Sequence, residues 1–253
     1  RRHVKPERQA WFGCACCPPN VARLLASLGR YAASAGGDTV RVHLYVGGQM
    51  DVQLDKGAAR LHIGGGYPWT GEVRIRVEKA DVTSFRLALR IPGWCRRWSA
   101  QLNGEAVSGS VEKGYLTIER DWQTGDEISL SLDMPVELLQ SHPQVRANAG
   151  KVALQRGPLV YCIEETDNGA NLPALSIPGD AVFRYTFDDD LPGGAGTVRF
   201  TGRRLREADW EDTLYRPAGG CGDTDAVAIR AVPYFLWGNR GRGEMAVWIR
   251  CDS

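Results

Sequence analysis

Hydrophobic positions change period once along this chain, near Gly37, and the two periods predict different structures. Before it, Val21, Leu24, Leu25, Leu28 and Tyr31 follow the i, i+3, i+4, i+7 spacing of one helical face. Arg23, Ser27 and Arg30 fall on the other faces. Pro18 and Pro19 suit a first turn, where backbone N–H groups have no partner inside the helix. This pattern predicts one helix from Asn20 to Ala33, stopped by Gly36-Gly37.

After Gly37 the chain alternates with period two. Val40, Val42, Leu44 and Val46 interleave with Arg41, His43 and Tyr45. Similar runs predict strands at Arg60 to Ile63, Val73 to Val77, Phe85 to Ile91, Tyr115 to Glu119 and Ile128 to Leu132. Asn103-Gly104, between Leu102 and Val107, is a hairpin signal, and Gly114 and Gly125 mark turns. The stretch from Pro135 to Gly150 is irregular and predicts a boundary. A second set follows: Val152 to Gln155, Leu159 to Glu164, Val182 to Phe187, Val198 to Thr201, Val227 to Ala231 and Met245 to Arg250. Leu205 to Thr224 reads as a polar, glycine-rich loop. Many short strands with regular turn signals predict a mainly β chain of two consecutive β-sandwich domains. The lone helix needs a partner for its stripe. It either lies on the first sandwich or is the last helix of a helical domain that precedes it.

Composition narrows the function classes. A net charge of +1 gives no electrostatic case for nucleic acid or an anionic membrane as partner. No apolar run approaches the roughly 18 residues of a membrane-spanning helix. The start, Arg1-Arg2-His3-Val4-Lys5-Pro6, lacks the apolar core of a signal peptide and reads as the middle of a longer chain. Three of the seven cysteines, Cys14, Cys16 and Cys17, fall within four residues. An odd, clustered set differs from a secreted disulfide framework and points to metal or redox chemistry in a reducing, cytoplasmic setting. Cys95, Cys162, Cys221 and Cys251 read as ordinary packing thiols.

The chemistry concentrates in Trp11-Phe12-Gly13-Cys14-Ala15-Cys16-Cys17-Pro18-Pro19-Asn20. Two adjacent cysteines stand just before a predicted helix start, where the helix dipole favours a thiolate. A thiolate is both a nucleophile and a zinc ligand. The bland alternative is a pair of thiols buried at a helix start. Glu7 is the only acid before the cluster, His3 is isolated, and His43, His62 and His142 read as strand or loop surface residues. A complete metal site therefore needs ligands from outside the cluster. Trp69, Trp94, Trp98, Trp122, Trp210 and Trp237 suit core packing better than sugar stacking. Arg96-Arg97, Asp188-Asp189-Asp190 and Gly64-Gly65-Gly66 read as solvated turns or loops.

Trp11-Phe12-Gly13, Cys16-Cys17-Pro18-Pro19-Asn20 and Ala22-Arg23 together resemble the signature of the zinc-dependent, cysteine-nucleophile β-L-arabinofuranosidases. Tyr67-Pro68-Trp69, Arg90-Ile91-Pro92-Gly93-Trp94 and Gln155-Arg156-Gly157-Pro158-Leu159-Val160-Tyr161 extend the likeness. So does the run from Val232 to Gly241, with Met245 and Val247-Trp248-Ile249-Arg250. The resemblance implies a helix ending an α/α toroid (residues 1–36), then sandwiches at 37–137 and 138–253. It implies that Cys16 is the nucleophile and that Cys16 and Cys17 bind zinc. It also implies that a Glu and a Cys from an earlier segment complete the zinc site and that an upstream Glu is the acid/base. The expected reaction retains configuration through a thioglycosyl intermediate, on a glycan or oligosaccharide bearing arabinofuranosides. Cys14 lies outside the matching pair and reads as packing. Without the upstream groups this chain alone is expected to be inactive. A non-catalytic β-sandwich that binds glycan or braces a partner domain is the rival from another class; a redox or metal-storage protein is a weaker third. An exposed helix stripe also invites association, such as a homodimer.

Overall fold

The computed structural model describes residues 8–10, 13, 15–81, 84–207, 210, 213–215, 217 and 223–252. They form a mainly β chain that divides into two compact units, one within 11–134 and one within 135–253 that also takes in residues 8–10. Expectations that rest on His3, Glu7, Trp11, Phe12, Cys14 and Cys221 lie outside the described residues.

The first unit opens with helix α1 (Cys17–Ser27) and the single turn α2 (Gly29–Ala32). The predicted helix is thus in two pieces, begins earlier and ends at Ala32. At the break, Leu28 donates to Leu25 and Tyr31 to Leu28, tighter i→i−3 bonds beside Gly29, a poor helix former. Ala33 is already extended, and Gly36-Gly37 belong to a hairpin, not to a helix stop. This hairpin joins β1 (Ala33–Gly36) to β2 (Thr39–Val42), with Gly37 at φ +60° in the turn.

Nine further strands complete this unit among the described residues: β3 (Gly48–Leu54), β4 (Gly57–Gly65), β5 (Glu72–Ala80), β6 (Ser84–Arg90), β7 (Trp98–Leu102), β8 (Glu105–Val107), β9 (Val111–Glu112), β10 (Tyr115–Asp121) and β11 (Glu127–Leu132). They form a five-stranded sheet, β1-β2-β6-β10-β9, and a six-stranded sheet, β3-β4-β5-β11-β7-β8. Inward residues of both sheets share one core, with Val40, Leu87, Leu89 and Leu116 from the first and Leu61, Ile75, Ile128 and Leu130 from the second. Trp122 is the largest fully buried side chain, stacks obliquely on Phe85, and donates its indole N–H to the Phe85 carbonyl at 2.8 Å. The predicted Asn103-Gly104 turn is present, with both residues at positive φ between β7 and β8.

The alternation predicted from Val40 to Val46 breaks after Val42. The N–H groups of His43 and Leu44 both donate to the Ala32 carbonyl, at 2.8 and 3.1 Å. One acceptor serving two successive donors shifts the phase by a residue, as a bulge does. Tyr45 therefore turns inward and donates its hydroxyl to the Arg90 carbonyl at 2.5 Å, while Leu44 and Val46 are exposed. Gly64 and Gly65 also differ from the expected loop: they end β4, and a Cβ on Gly65 would lie 2.2 Å from the Glu72 carbonyl oxygen.

The second unit contains β12 (Val136–Leu139), β13 (Lys151–Arg156), β14 (Leu159–Glu164), the single turn α3 (Glu165–Asn168), β15 (Leu175–Pro178), β16 (Arg184–Asp188), β17 (Ala195–Leu205), β18 (Thr224–Pro233), β19 (Met245–Ala246) and β20 (Trp248–Asp252). All nine strands join one sheet, ordered β12-β13-β20-β15-β17-β18-β14-β19 with β16 on β17. The additional pairing of β13 with β14 closes six of them into a ring, so two facing layers arise from one sheet. Leu154, Ile163, Ile177, Val198, Ile229 and Ile249, one from each strand of that ring, fill its interior. β12 falls in the stretch read as irregular. β15 escaped prediction because it is only four residues long and ends in Pro178, and all four residues, Ser176 included, are buried.

A buried ionic cluster pins one end of this ring. Arg240 bonds both Glu164 and Asp167, with its side chain 15% exposed and theirs 5% and 7%. Asp167 also pairs with Arg230, whose other partner is Asp188, so that aspartate is not merely solvated loop. Glu164 in addition accepts the Gly238 N–H at 3.0 Å.

Two stability outcomes follow from these interiors. Trp122→Ala should destabilise the first unit by about 3–5 kcal/mol, read as a lower denaturant midpoint of that unit's transition. Arg240→Met should destabilise the second unit by about 3–5 kcal/mol, because Glu164 stays buried without its cation; an unchanged midpoint would remove the cluster's structural role.

Candidate active site: a cysteine pair at an exposed helix start

The structure brings Cys16 and Cys17 together at the start of α1. Cys16 occupies the N-cap position and already has helical dihedrals, φ −71° and ψ −37°. Pro18 and Pro19 occupy the first turn, where their missing N–H groups cost nothing. The Cys16 carbonyl accepts both the Asn20 side-chain amide at 2.8 Å and the Asn20 backbone N–H at 3.4 Å. Arg23 in turn donates to Asn20 Oδ1 at 3.1 Å, which orients that amide. The motif thus holds the backbone of the pair through Asn20 and Arg23, both of which belong to the signature read from sequence.

The two sulfurs lie 3.7 Å apart and both residues are exposed, so neither is a buried packing thiol. Two thiolates bound at about 2.3 Å to one tetrahedral zinc are separated by about 3.8 Å. The pair therefore fits adjacent corners of a zinc tetrahedron, and thiolate is a donor that zinc favours. Among the described residues no group of three or more His, Cys, Asp or Glu side chains converges to hold a metal.

Around the pair the helix surface is apolar and open. Val21, Leu24, Leu25 and Tyr31 are each more than half exposed, and no residue of α1 is buried. The stripe legible in the sequence thus does not lie in the core of the first sandwich. No helix among the described residues is long and apolar enough to cross a membrane.

Other candidate residues take structural roles. His43 is not a bare surface histidine: its ring nitrogens contact Ser34 Oγ at 2.9 Å and the Tyr115 hydroxyl at 2.6 Å. Trp94 and Trp98 pack on the first core, while Trp237 stacks on Tyr234 under the Arg8 guanidinium. Arg97 pairs with Asp133. Cys162 is fully buried, and that burial, with Glu164 close by, pushes its thiol up to about 12. Cys95 and Cys251 are half-buried.

The described residues thus form a mainly β protein of two compact units with an exposed vicinal cysteine pair at a helix start. Comparisons with known proteins place this architecture among the glycoside hydrolases. Residues 39–134 match the model described as beta-L-arabinofuranosidase, GH127 middle domain, and residues 136–250 match the glycoside hydrolase family 127 C-terminal domain. The chain belongs to glycoside hydrolase family 127, whose middle and C-terminal domains it contains. It is 38% identical to a non-reducing end beta-L-arabinofuranosidase of Bifidobacterium longum subsp. longum, over 99% of this chain and 39% of the relative. A crystal structure of a GH127 beta-L-arabinofuranosidase from Geobacillus stearothermophilus superposes with a TM-score of 0.93 at 49% identity, covering 99% of this chain and 40% of that one. A second GH127 beta-arabinofuranosidase structure gives a TM-score of 0.87 at 32% identity, over 97% of this chain and 40% of that one. The chain thus spans about two fifths of the length of these relatives.

Exposure separates the thiols experimentally. A soluble alkylating reagent should modify Cys16 and Cys17 of the native protein within minutes, and Cys162 only after denaturation, as read by peptide mass spectrometry. Rapid native labelling of Cys162 would contradict its place in the second core.

Proposed function

We propose that this chain is the C-terminal part of a retaining glycoside hydrolase that releases terminal β-L-arabinofuranosyl residues from glycans or oligosaccharides. Cys16 is the nucleophile, and Cys16 and Cys17 are zinc ligands. The observation that carries this reading is the exposed sulfur pair, 3.7 Å apart, at the start of α1. The names of the relatives support the sugar and the linkage.

Each part of the pair has a distinct task. The Cys16 sulfur attacks the anomeric carbon; the C–S bond forms as the C–O bond to the leaving group breaks. A general acid gives its proton to the departing oxygen. Water, giving its proton to the same acid/base group, then displaces the sulfur as thiolate from the opposite side, and two inversions retain the configuration. Cys17 would hold the metal beside the nucleophile, and zinc bound there would supply the positive charge that favours thiolate over thiol. Asn20 and Arg23 hold the backbone that carries both sulfurs. The remaining zinc ligands and the acid/base Glu come, in this reading, from the longer protein, so the 253-residue chain by itself is inactive.

The test uses the full-length protein that contains this chain. Arabinose release from p-nitrophenyl β-L-arabinofuranoside should fall to background in Cys16→Ser, and wild type should carry stoichiometric zinc by elemental analysis. In Cys17→Ser, zinc and activity should be lost together. Neither zinc nor hydrolysis in wild type would replace this reading with a non-catalytic module that binds glycan or braces a partner domain.

A further inference from the structure

The register of the second sheet sets three arginines side by side. Arg184 on β16 lies directly opposite Arg199 on β17, and Arg199 lies directly opposite Arg230 on β18. Facing residues of antiparallel strands have Cα atoms about 4.5–5.5 Å apart, and like charges so placed repel. All three line one open depression of about 770 Å³ on the second unit. Ala228, Thr201 and Val182, the last 77% exposed, line it as well.

The three cations are not equally matched. Arg230 is neutralised by Asp167 and Asp188 at 2.9 and 2.6 Å. Asp167, which also borders the depression, is bonded to Arg240 as well. Arg184 and Arg199 are exposed and have no ion-pair or hydrogen-bond partner among the described residues. A charge on an edge strand discourages pairing with another sheet, which accounts for Arg184 on β16. It does not account for Arg199, which sits on an interior strand between two other arginines.

We propose that this depression binds an acidic carbohydrate, with the Arg184 and Arg199 guanidinium groups forking onto its carboxylate or sulfate oxygens. Arginine suits this task because its planar donors match such anions two at a time. The depression's volume of about 770 Å³ falls in the range of small-molecule sites and accommodates a sugar ring beside the cations. That the anion is borne by a carbohydrate rests on the glycosidase reading above; the anion site itself rests on the arginine row alone. The depression is lined by residues of the second unit and uses neither cysteine of the pair, and its task in this proposal is to select or retain glycan.

The test is calorimetric titration of the full-length protein with tri-galacturonic acid, neutral arabinotriose and inorganic sulfate, in wild type and in the Arg184→Ala, Arg199→Ala double variant. The acidic trisaccharide should bind wild type, weaken at least about tenfold between low and moderate salt, and lose at least about tenfold in the double variant. The melting temperature of that variant should not fall, because the row is repulsive. Sulfate that binds as tightly as the trisaccharide would overturn the carbohydrate assignment. No binding of the trisaccharide, or binding that survives the double substitution, would overturn the site. Arabinose release by the same double variant should stay at the wild-type rate on the nitrophenyl substrate, so failure here and failure of the glycosidase reading are told apart.

Discussion

The Ala32 carbonyl carries the junction on which the first unit depends. It accepts the N–H groups of both His43 and Leu44, so the end of the helical segment is tied to the chain leaving β2. That shared acceptor ends α2, starts the β1–β2 hairpin, and turns Tyr45 into the core against Tyr67. Through it, the helical run from Cys17 to Ala32 is attached to a packed sheet at its C-terminal end. The cysteine pair stands at the far end of this run, on a helix with no buried residue of its own. Its local geometry therefore comes from backbone rules at a helix start, and its placement from a junction sixteen residues on.

The motifs that carry the family resemblance mostly do structural work. Gln155-Arg156-Gly157-Pro158-Leu159 forms the tight hairpin that closes the six-strand ring, with Gly157 at φ +55° and Gln155 donating to its carbonyl. The run ending in Gly238-Asn239-Arg240 supplies the backbone N–H and the guanidinium that satisfy Glu164. Arg90-Ile91 supplies the carbonyl that receives the Tyr45 hydroxyl. At Gly157, with its positive φ, and at Arg240, beside a buried carboxylate, the residue type itself solves a backbone or buried-charge problem, so similarity there reports fold. Cys16-Cys17 differs in kind. Its sulfurs are exposed and stabilise no core, so packing does not explain their adjacency.

The two units solve the edge problem differently, with consequences for their surfaces. The first is an open sandwich with four edge strands among the described residues, of which β1, β8 and β9 are short and β3 spans seven residues. The second joins its strands into a ring and leaves β12, β16 and β19 at the periphery. On its outer face β17 is flanked by β16 and β18, and the register alone decides which side chains meet there. A slip of β17 by one residue against its neighbours would dissolve the arginine row and turn Val198 and Phe200 outward. The buried hydrophobic set therefore enforces the register that also sets the like charges in line.

Local signals made much of this protein readable in advance. The change of period near Gly37, the Asn103-Gly104 turn and the alternating runs of β4, β5, β6, β10 and β11 depend on neighbours a few residues apart, and so did the cysteine pair before a Pro-Pro helix start. The strand β15 was hidden because it is only four residues long, ends in proline, and buries its hydroxyl residue, Ser176, as fully as Leu175 and Ile177. The phase change after Val42 was hidden because it depends on Ala32, ten residues earlier. Arg184, Arg199 and Arg230 are unremarkable as a sequence; only the pairing of three strands makes them neighbours. Sequence by itself determined the β character, the presence of a helix at the Pro-Pro run and the adjacency of the two thiols beside it, because these follow from periods and dihedral preferences within a few residues. Tertiary structure alone decided the ring closure, the buried charge cluster and the cationic row, because each requires hydrogen-bonded register between segments distant in the chain.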